Sequence, residues 1–156
     1  MSTTTTTDRT AYAETAVQKG ALIFGIVFLV VGIAGFIPGL TQGNLDGAGS
    51  GSMAMLLGLF QVSVLHNIVH LLFGIVGLVV ARTARGSRLY LIVGGVIYAV
   101  LWIYGLFTAN HDSGANFVPI NTADNWLHLV LAVAMILLGI VLPRVRRSAS
   151  PSRRPA

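Results

Sequence analysis

The sequence predicts an all-α integral membrane protein built as a bundle of four spanning helices. Of its 156 residues, 54% are hydrophobic and 10% are charged, whereas about a quarter of the residues in soluble domains are charged. The mean hydropathy is +0.79, and four apolar runs long enough to cross a bilayer alternate with polar segments. The chain has no cysteine, which excludes disulfides, thiolate metal sites and iron–sulfur clusters.

The first predicted span covers residues 20–37 and carries no charge. Its length of about 27 Å, at about 1.5 Å per residue, just crosses the hydrocarbon core. The polar segment before it, residues 1–19, is predicted to be a disordered cytoplasmic N-terminus with at most a short surface helix. Four small residues in the span are spaced so that a neighbouring helix can approach closely: Ala21, Gly25, Gly32 and Gly35.

The second predicted span covers residues 64–81, after a flexible loop rich in glycine and serine at 38–52. The intervening run 53–62 is also apolar, and together the two stretches are too long for one crossing. Ser63 separates them as a plausible N-cap, since its hydroxyl can accept a hydrogen bond from the first helical turn. We therefore expect residues 53–60 to form a short helix at the membrane interface, or a re-entrant segment.

The third span is predicted at residues 89–107, after a tight basic turn at 82–88. The fourth is predicted at residues 123–142, after a polar loop. Thr122 or Asp124 can cap its first turn, where an acidic side chain also suits the positive end of the helix dipole. The remaining residues 143–156 are basic and polar and are predicted to be a disordered cytoplasmic tail.

The distribution of charge predicts the orientation of the four spans. With both ends of the bundle in the cytoplasm, all ten basic residues lie inside, and the two outer loops contain only the acidic Asp46, Asp112 and Asp124. The sequence therefore predicts a multi-pass plasma-membrane protein with both termini cytoplasmic. Its basic residues flank the spans instead of forming a nucleic-acid patch, so the expected partners are the bilayer and a membrane protein or another copy.

Polar side chains occupy the outer ends of the second and fourth spans, where lipid tails offer no hydrogen bonds. His66 and His70 share one helical face with Gly74 and, one residue early, Gly77. That face predicts a packing seam with a polar end. The predicted structural polar cluster consists of His66, Asn67, His70, Asn125, Trp126 and His128.

The segments LLGLFQVSVLHNIVHLLFGIVGL (56–78) and NWLH (125–128) resemble a family of small four-span bacterial membrane proteins. That family is catalogued only as a domain of unknown function, and the resemblance covers roughly residues 18–142. It implies a four-helix bacterial plasma-membrane protein and implies no activity. Where the family pattern favours asparagine this chain has Ser63, which is also a good N-cap.

The preferred functional hypothesis is a non-enzymatic structural or partner-binding module whose polar cluster is architectural and binds no cofactor. One alternative is a divalent metal held by His66, His70 and His128, with the site completed by Asp112, Asp124 or His111. The i, i+4 pair of His66 and His70 is by itself weak evidence for a metal site, because a metalloprotease helix needs the motif H-E-x-x-H.

Two further alternatives use the same histidines. His70 and His128 on facing helices are candidate axial ligands of a haem, if the glycine-lined seam leaves room for the ring. A quinone site would use these histidines together with Trp126. A transporter is disfavoured, because neither span continues with polar residues toward the cytoplasm. The sequence also lacks the G-x-S-x-G motif of an α/β-hydrolase.

Overall fold

A computed structural model describes residues 11–49, 51–109 and 115–144. These residues form two helical hairpins and a small sheet inserted in the first hairpin. The elements in chain order are α1 (Ala16–Ala34), β1 (Thr41–Gln42), β2 (Ala54–Leu56), β3 (Phe60–Val62), α2 (Val64–Val80), α3 (Ala84–Thr108) and α4 (Thr122–Val141). Helices α1, α3 and α4 are long and apolar enough to cross a membrane, and α2 is a shorter apolar helix of 17 residues.

Helix α1 begins earlier than the sequence predicted, because Thr15 and Gln18 form a capping box. The Gln18 side chain also donates to the carbonyl oxygen of Ala81 at 2.9 Å, which joins the start of α1 to the end of α2. Residues 16–19, for which the sequence allowed a short surface helix, form the first turn of α1. Residues 1–10 and 145–156, for which disorder was predicted, lie outside the described residues.

The prediction of a short interfacial helix at residues 53–60 is wrong, and so is the prediction of a purely α-helical fold. The segment forms the antiparallel hairpin β2–β3, which pairs with β1 in a sheet of order β1-β2-β3. Ala54 and Leu56 are buried while Met55 between them is half-buried, the alternation of a strand. Strand pairing satisfies backbone groups that the two ends of so short a helix would leave without partners.

The helix starts that follow the sheet depend on side-chain caps. Ser63 caps α2 as predicted, with its hydroxyl accepting from the His66 amide at 3.1 Å. Helix α4 is capped by Asn121, which was not predicted, and Asp124 completes a capping box with it. Thr122 is the first residue of the helix, so its predicted role as the cap is wrong.

The core lies where the two hairpins meet through α1 and α3. The Phe28 ring of α1 stacks on the Tyr98 ring of α3, with centroids 5.4 Å apart and an interplanar angle of 1°. Leu91 and Met135 are fully buried in the same cluster. Since α1 packs on α2 and α3 packs on α4, this aromatic contact joins the two hairpins.

Candidate functional site

The structure brings the rings of the three predicted cluster histidines together and buries five of the six residues of the predicted polar cluster. The members on α2 and α4 are all buried: His66, Asn67, His70, Asn125 and His128. The His66 ring stacks on the His70 ring at 4.6 Å between centroids and lies 6.3 Å from the His128 ring. We use "outer polar cluster" for these five residues from here on.

Trp126 does not belong to the outer polar cluster, contrary to the sequence prediction. Its side chain is 59% exposed on the outside of α4. The reason is helical periodicity, since a residue next to Asn125 is rotated by about 100° around the helix axis. An exposed indole near a helix end fits the membrane–water interface, where its amphipathic ring is stable.

The segments next to the outer polar cluster are joined by hydrogen bonds between the start of α4, the residue before it and the sheet. Asp124 Oδ2 accepts from the amides of Gln61 at 2.9 Å and Asn121 at 3.2 Å. The side-chain amide of Asn121 donates through Nδ2 to the Leu59 carbonyl oxygen at 2.8 Å. These bonds hold β3 and the loop before α4 over the helix ends as one cap.

Aromatic rings close the cluster on its membrane side. Phe28 lies 5.6 Å from the His70 ring, and Tyr98 lies 5.4 Å from the His128 ring. Because Phe28 and Tyr98 also stack on each other, they separate the histidines from the other half of the bundle. This apolar layer supports the expectation that no polar path continues across the bundle.

The hydrogen bonds inside the cluster are incomplete. His70 Nδ1 lies 3.0 Å from the His66 carbonyl oxygen, a bond that needs the tautomer protonated at Nδ1. Four other buried atoms of the cluster have no hydrogen-bond partner among the described residues: His66 Nδ1, Asn67 Nδ2, Asn125 Oδ1 and His128 Nδ1. Buried polar atoms of this kind are costly unless a water or another molecule completes their bonding.

The two asparagines of the cluster occupy equivalent positions in the two hairpins. Asn67 of α2 packs directly on Gly35 at the end of α1, and Asn125 of α4 packs directly on Gly105 of α3. The sequence spacing is also shared, since Asn67 and His70 are separated by the same three positions as Asn125 and His128.

The equivalence extends along both hairpins. A Cβ on Gly25 would meet Leu78 and Gly74, and a Cβ on Gly95 would meet Ile136 and Ala132 in the same arrangement. Phe28 and Tyr98, which stack on each other, are also matched, since each lies three residues after the glycine of its helix. The bundle is therefore a pseudo-symmetric pair of hairpins.

The geometry does not support the metal hypothesis for His66, His70 and His128. Among residues 11–49, 51–109 and 115–144, no three histidine, cysteine, aspartate or glutamate side chains are arranged to hold a metal ion. Asp124 is engaged in capping α4. The candidate ligands His111 and Asp112 lie outside the described residues.

The residues around His70 and His128 do not fit a haem. The predicted space was the glycine-lined seam, but side chains fill it: Leu29 packs on Gly74, Met135 on Gly94 and Ile136 on Gly95. The stacked Phe28 and Tyr98 rings close the bundle directly below the histidines. The seam glycines therefore serve close helix packing.

An apolar groove of about 280 Å³ lies between α2 and α3. Its lining residues are Leu72, Phe73, Val76, Tyr90, Val93, Gly94 and Ile97. Phe73 connects it to the cluster, since the Phe73 ring contacts Phe28 and Tyr98, each at 5.7 Å between centroids. The groove itself contains none of the cluster histidines.

Several residues that build the site were missed from the sequence. Phe28 and Tyr98 looked like ordinary apolar positions, and Gly35 and Gly105 looked like general packing residues. The available signal was the shared N-x-x-H spacing in 67–70 and 125–128, which puts the two return helices in register. With that register, the matching glycines and aromatic residues follow.

The fold and the cluster define a class: a helical membrane protein of two packed hairpins with a buried polar cluster at one end. The chain belongs to the family described as domain of unknown function DUF4383, whose model matches residues 18–141. This confirms the resemblance to a family without an assigned activity. Comparison with curated proteins found no match, and comparison with solved structures found none either.

Proposed function

We propose that this chain is a four-span protein of the bacterial plasma membrane that acts without catalysis, as a structural or partner-binding module. The hydrogen bonds of Asp124 and Asn121 carry the proposal, because they join α4 to the sheet and not to a substrate-sized cavity. The outer polar cluster then serves to hold a rigid cap at the outer face, where a partner protein or another copy can bind.

The charges support the proposed orientation, with both termini in the cytoplasm. Lys19, Arg82, Arg85 and Arg88 lie near the ends of helices opposite to the outer polar cluster. Asp46 and Asp124 lie at the cluster end. Cysteine substitution at exposed Ala48 tests this, since the natural chain has no cysteine. The single thiol should react in intact cells with a membrane-impermeant maleimide, and labelling only after lysis would contradict the orientation.

A second candidate function is the binding of a small hydrogen-bonding ligand such as a quinone. The supporting observation is that His66 Nδ1 and His128 Nδ1 are buried without a partner among the described residues. Each of these nitrogens accepts or donates according to its tautomer, so the ligand would have to offer a donor to an unprotonated nitrogen or an acceptor to a protonated one, and a quinol hydroxyl can do both.

Measurements on the protein purified from its native membrane in a mild detergent distinguish the two candidate functions. We would record the absorption spectrum, analyse bound metals and extract quinones from the wild type, from His70→Leu and from the lipid-facing control Leu72→Ala. The structural function predicts no stoichiometric ligand and a lower melting temperature for His70→Leu only. A stoichiometric chromophore, metal or quinone that is lost in His70→Leu while the helices survive would overturn the structural function.

A further inference from the structure

The tip of the β2–β3 hairpin presents apolar side chains to its surroundings. Leu57 is 66% exposed and Leu59 is 53% exposed, on either side of Gly58. The Leu57 amide donates to the Leu40 carbonyl at 2.7 Å, which places the exposed Leu40 side chain beside the tip. We call Leu40, Leu57 and Leu59 the apolar tip. Three exposed leucines on a short turn are unusual for a surface in contact with water.

Leu57 also adopts a backbone conformation that leucine disfavours. Its φ is +54° and that of Gly58 is +69°, so both residues are in the left-handed region. Asparagine, aspartate or glycine is the usual choice there, because a leucine Cβ is too close to the following carbonyl. Leucine at this position lowers the stability of the turn, which indicates that its apolar side chain serves a purpose outside the turn.

The apolar tip is continuous with the lipid-facing surface of α1. From Ile33 in the last turn of that helix, exposed apolar side chains continue through Phe36 and Ile37 to Leu40. Backbone hydrogen bonds follow the same path, from Ile37 to Ala34 and from Leu40 to Ile37. The tip therefore lies next to the end of a membrane-spanning helix and not at a distance from it.

Charge and helix length point to the same surroundings. The chain carries no charged residue between Lys19 and Asp46 or between Asp46 and Arg82. Helix α2, which follows β3 directly, has 17 residues and is about 26 Å long, whereas the hydrocarbon core is about 30 Å thick. An apolar segment before α2 would compensate for this mismatch.

From these observations we infer that the apolar tip inserts into the interfacial region of the leaflet at the sheet end of the bundle, with its leucines in contact with lipid. The backbone of the tip still has groups that need hydrogen bonds, so the insertion reaches the headgroup boundary and not the hydrocarbon centre. The inference rests on the proposed placement of the four helices across a bilayer.

The absence of natural cysteine allows a direct measurement of depth. Three single-cysteine variants carry the same fluorophore in reconstituted vesicles: Leu57→Cys at the tip, Ala48→Cys in the exposed loop and Val96→Cys in the middle of α3. The measurement is quenching by phospholipids with a nitroxide near the headgroup or deep in the acyl chain, and by iodide in water. It is repeated at two protein-to-lipid ratios.

We expect the Leu57 fluorophore to be quenched at least threefold more by headgroup-region nitroxide than the Ala48 fluorophore, and to be protected from iodide at both ratios. Equal quenching of the two, with iodide access to both, would overturn the insertion. Protection of Leu57 that disappears on dilution in lipid would also overturn it and would indicate contact with a second copy. If the Val96 fluorophore is not quenched by deep nitroxide, the membrane placement itself is wrong.

Discussion

The contact between Gly35 and Asn67 makes the α1–α2 crossing sensitive to a single methyl group. A Cβ at Gly35 would lie 2.5 Å from Asn67 Nδ2 and closer still to the other amide atoms, whereas ordinary contacts are 3.4–4 Å. Asn67 is fully buried, so its side chain cannot move away without disturbing its neighbours. The helix-like φ of −61° at Gly35 suits alanine equally well, and the effect of Gly35→Ala is therefore steric.

The expected magnitude follows from two opposing terms. Overpacking a buried site costs about 1–3 kcal/mol, and an overlap this severe belongs at the upper end. Replacing glycine by alanine in a helical conformation returns about 1 kcal/mol. The free energy of unfolding should fall by about 2 kcal/mol for Gly35→Ala, which corresponds to a melting temperature about 4–8 °C lower in a chain of this size.

Thermal unfolding in one mild detergent, followed by tryptophan fluorescence, measures this change. The matched control is Gly47→Ala, since a Cβ at Gly47 has no atom within 4 Å among the described residues. The double variant Gly35→Ala/Asn67→Ala removes the clash and should be more stable than Gly35→Ala alone, with a coupling of about 2 kcal/mol. A melting temperature unchanged in Gly35→Ala, or strictly additive effects in the double variant, would refute the steric reasoning.

Three further variants are measured by the same unfolding assay. Asp124→Leu removes the acceptor for the Gln61 amide and half of a capping box. It should lower the free energy of unfolding by about 2 kcal/mol, and an unchanged melting temperature would contradict the role of Asp124 in the cap. Gln18→Leu removes the hydrogen bond to Ala81 and should lower the free energy of unfolding by about 1–2 kcal/mol. An unchanged melting temperature would mean that other contacts hold the ends of α1 and α2 together. Leu57→Gly relieves the left-handed strain and should raise stability in detergent by about 1 kcal/mol. A loss instead would mean that Leu57 packs on the protein.

The sequence alone was sufficient to predict that there are four helices among the described residues and which helix faces carry the histidines, although α1 begins at Ala16 and α3 at Ala84, earlier than predicted. Uncharged apolar runs of spanning length predict helices wherever they occur, because a backbone in lipid must satisfy its own hydrogen bonds. The helical period then places His66, His70, Gly74 and Gly77 on one face, and all four are buried. The hydroxyl of Ser63 was enough to predict where α2 begins.

Two features needed the tertiary structure because their causes are not local. The run at 53–60 is apolar enough for a helix, but it folds back to pair as the hairpin β2–β3, and β2 also pairs with Thr41 and Gln42. Such pairing depends on residues that the sequence separates by a flexible loop.

The character of the polar cluster was likewise decided by packing between elements. The sequence placed histidines on two helices, but whether they surround a cavity depends on what fills the space between them. Phe28 and Tyr98 meet there from α1 and α3 and close the bundle below the histidines. Residue types fix which groups are polar, and only the meeting of distant side chains fixes whether those groups face a cavity, each other or the cap.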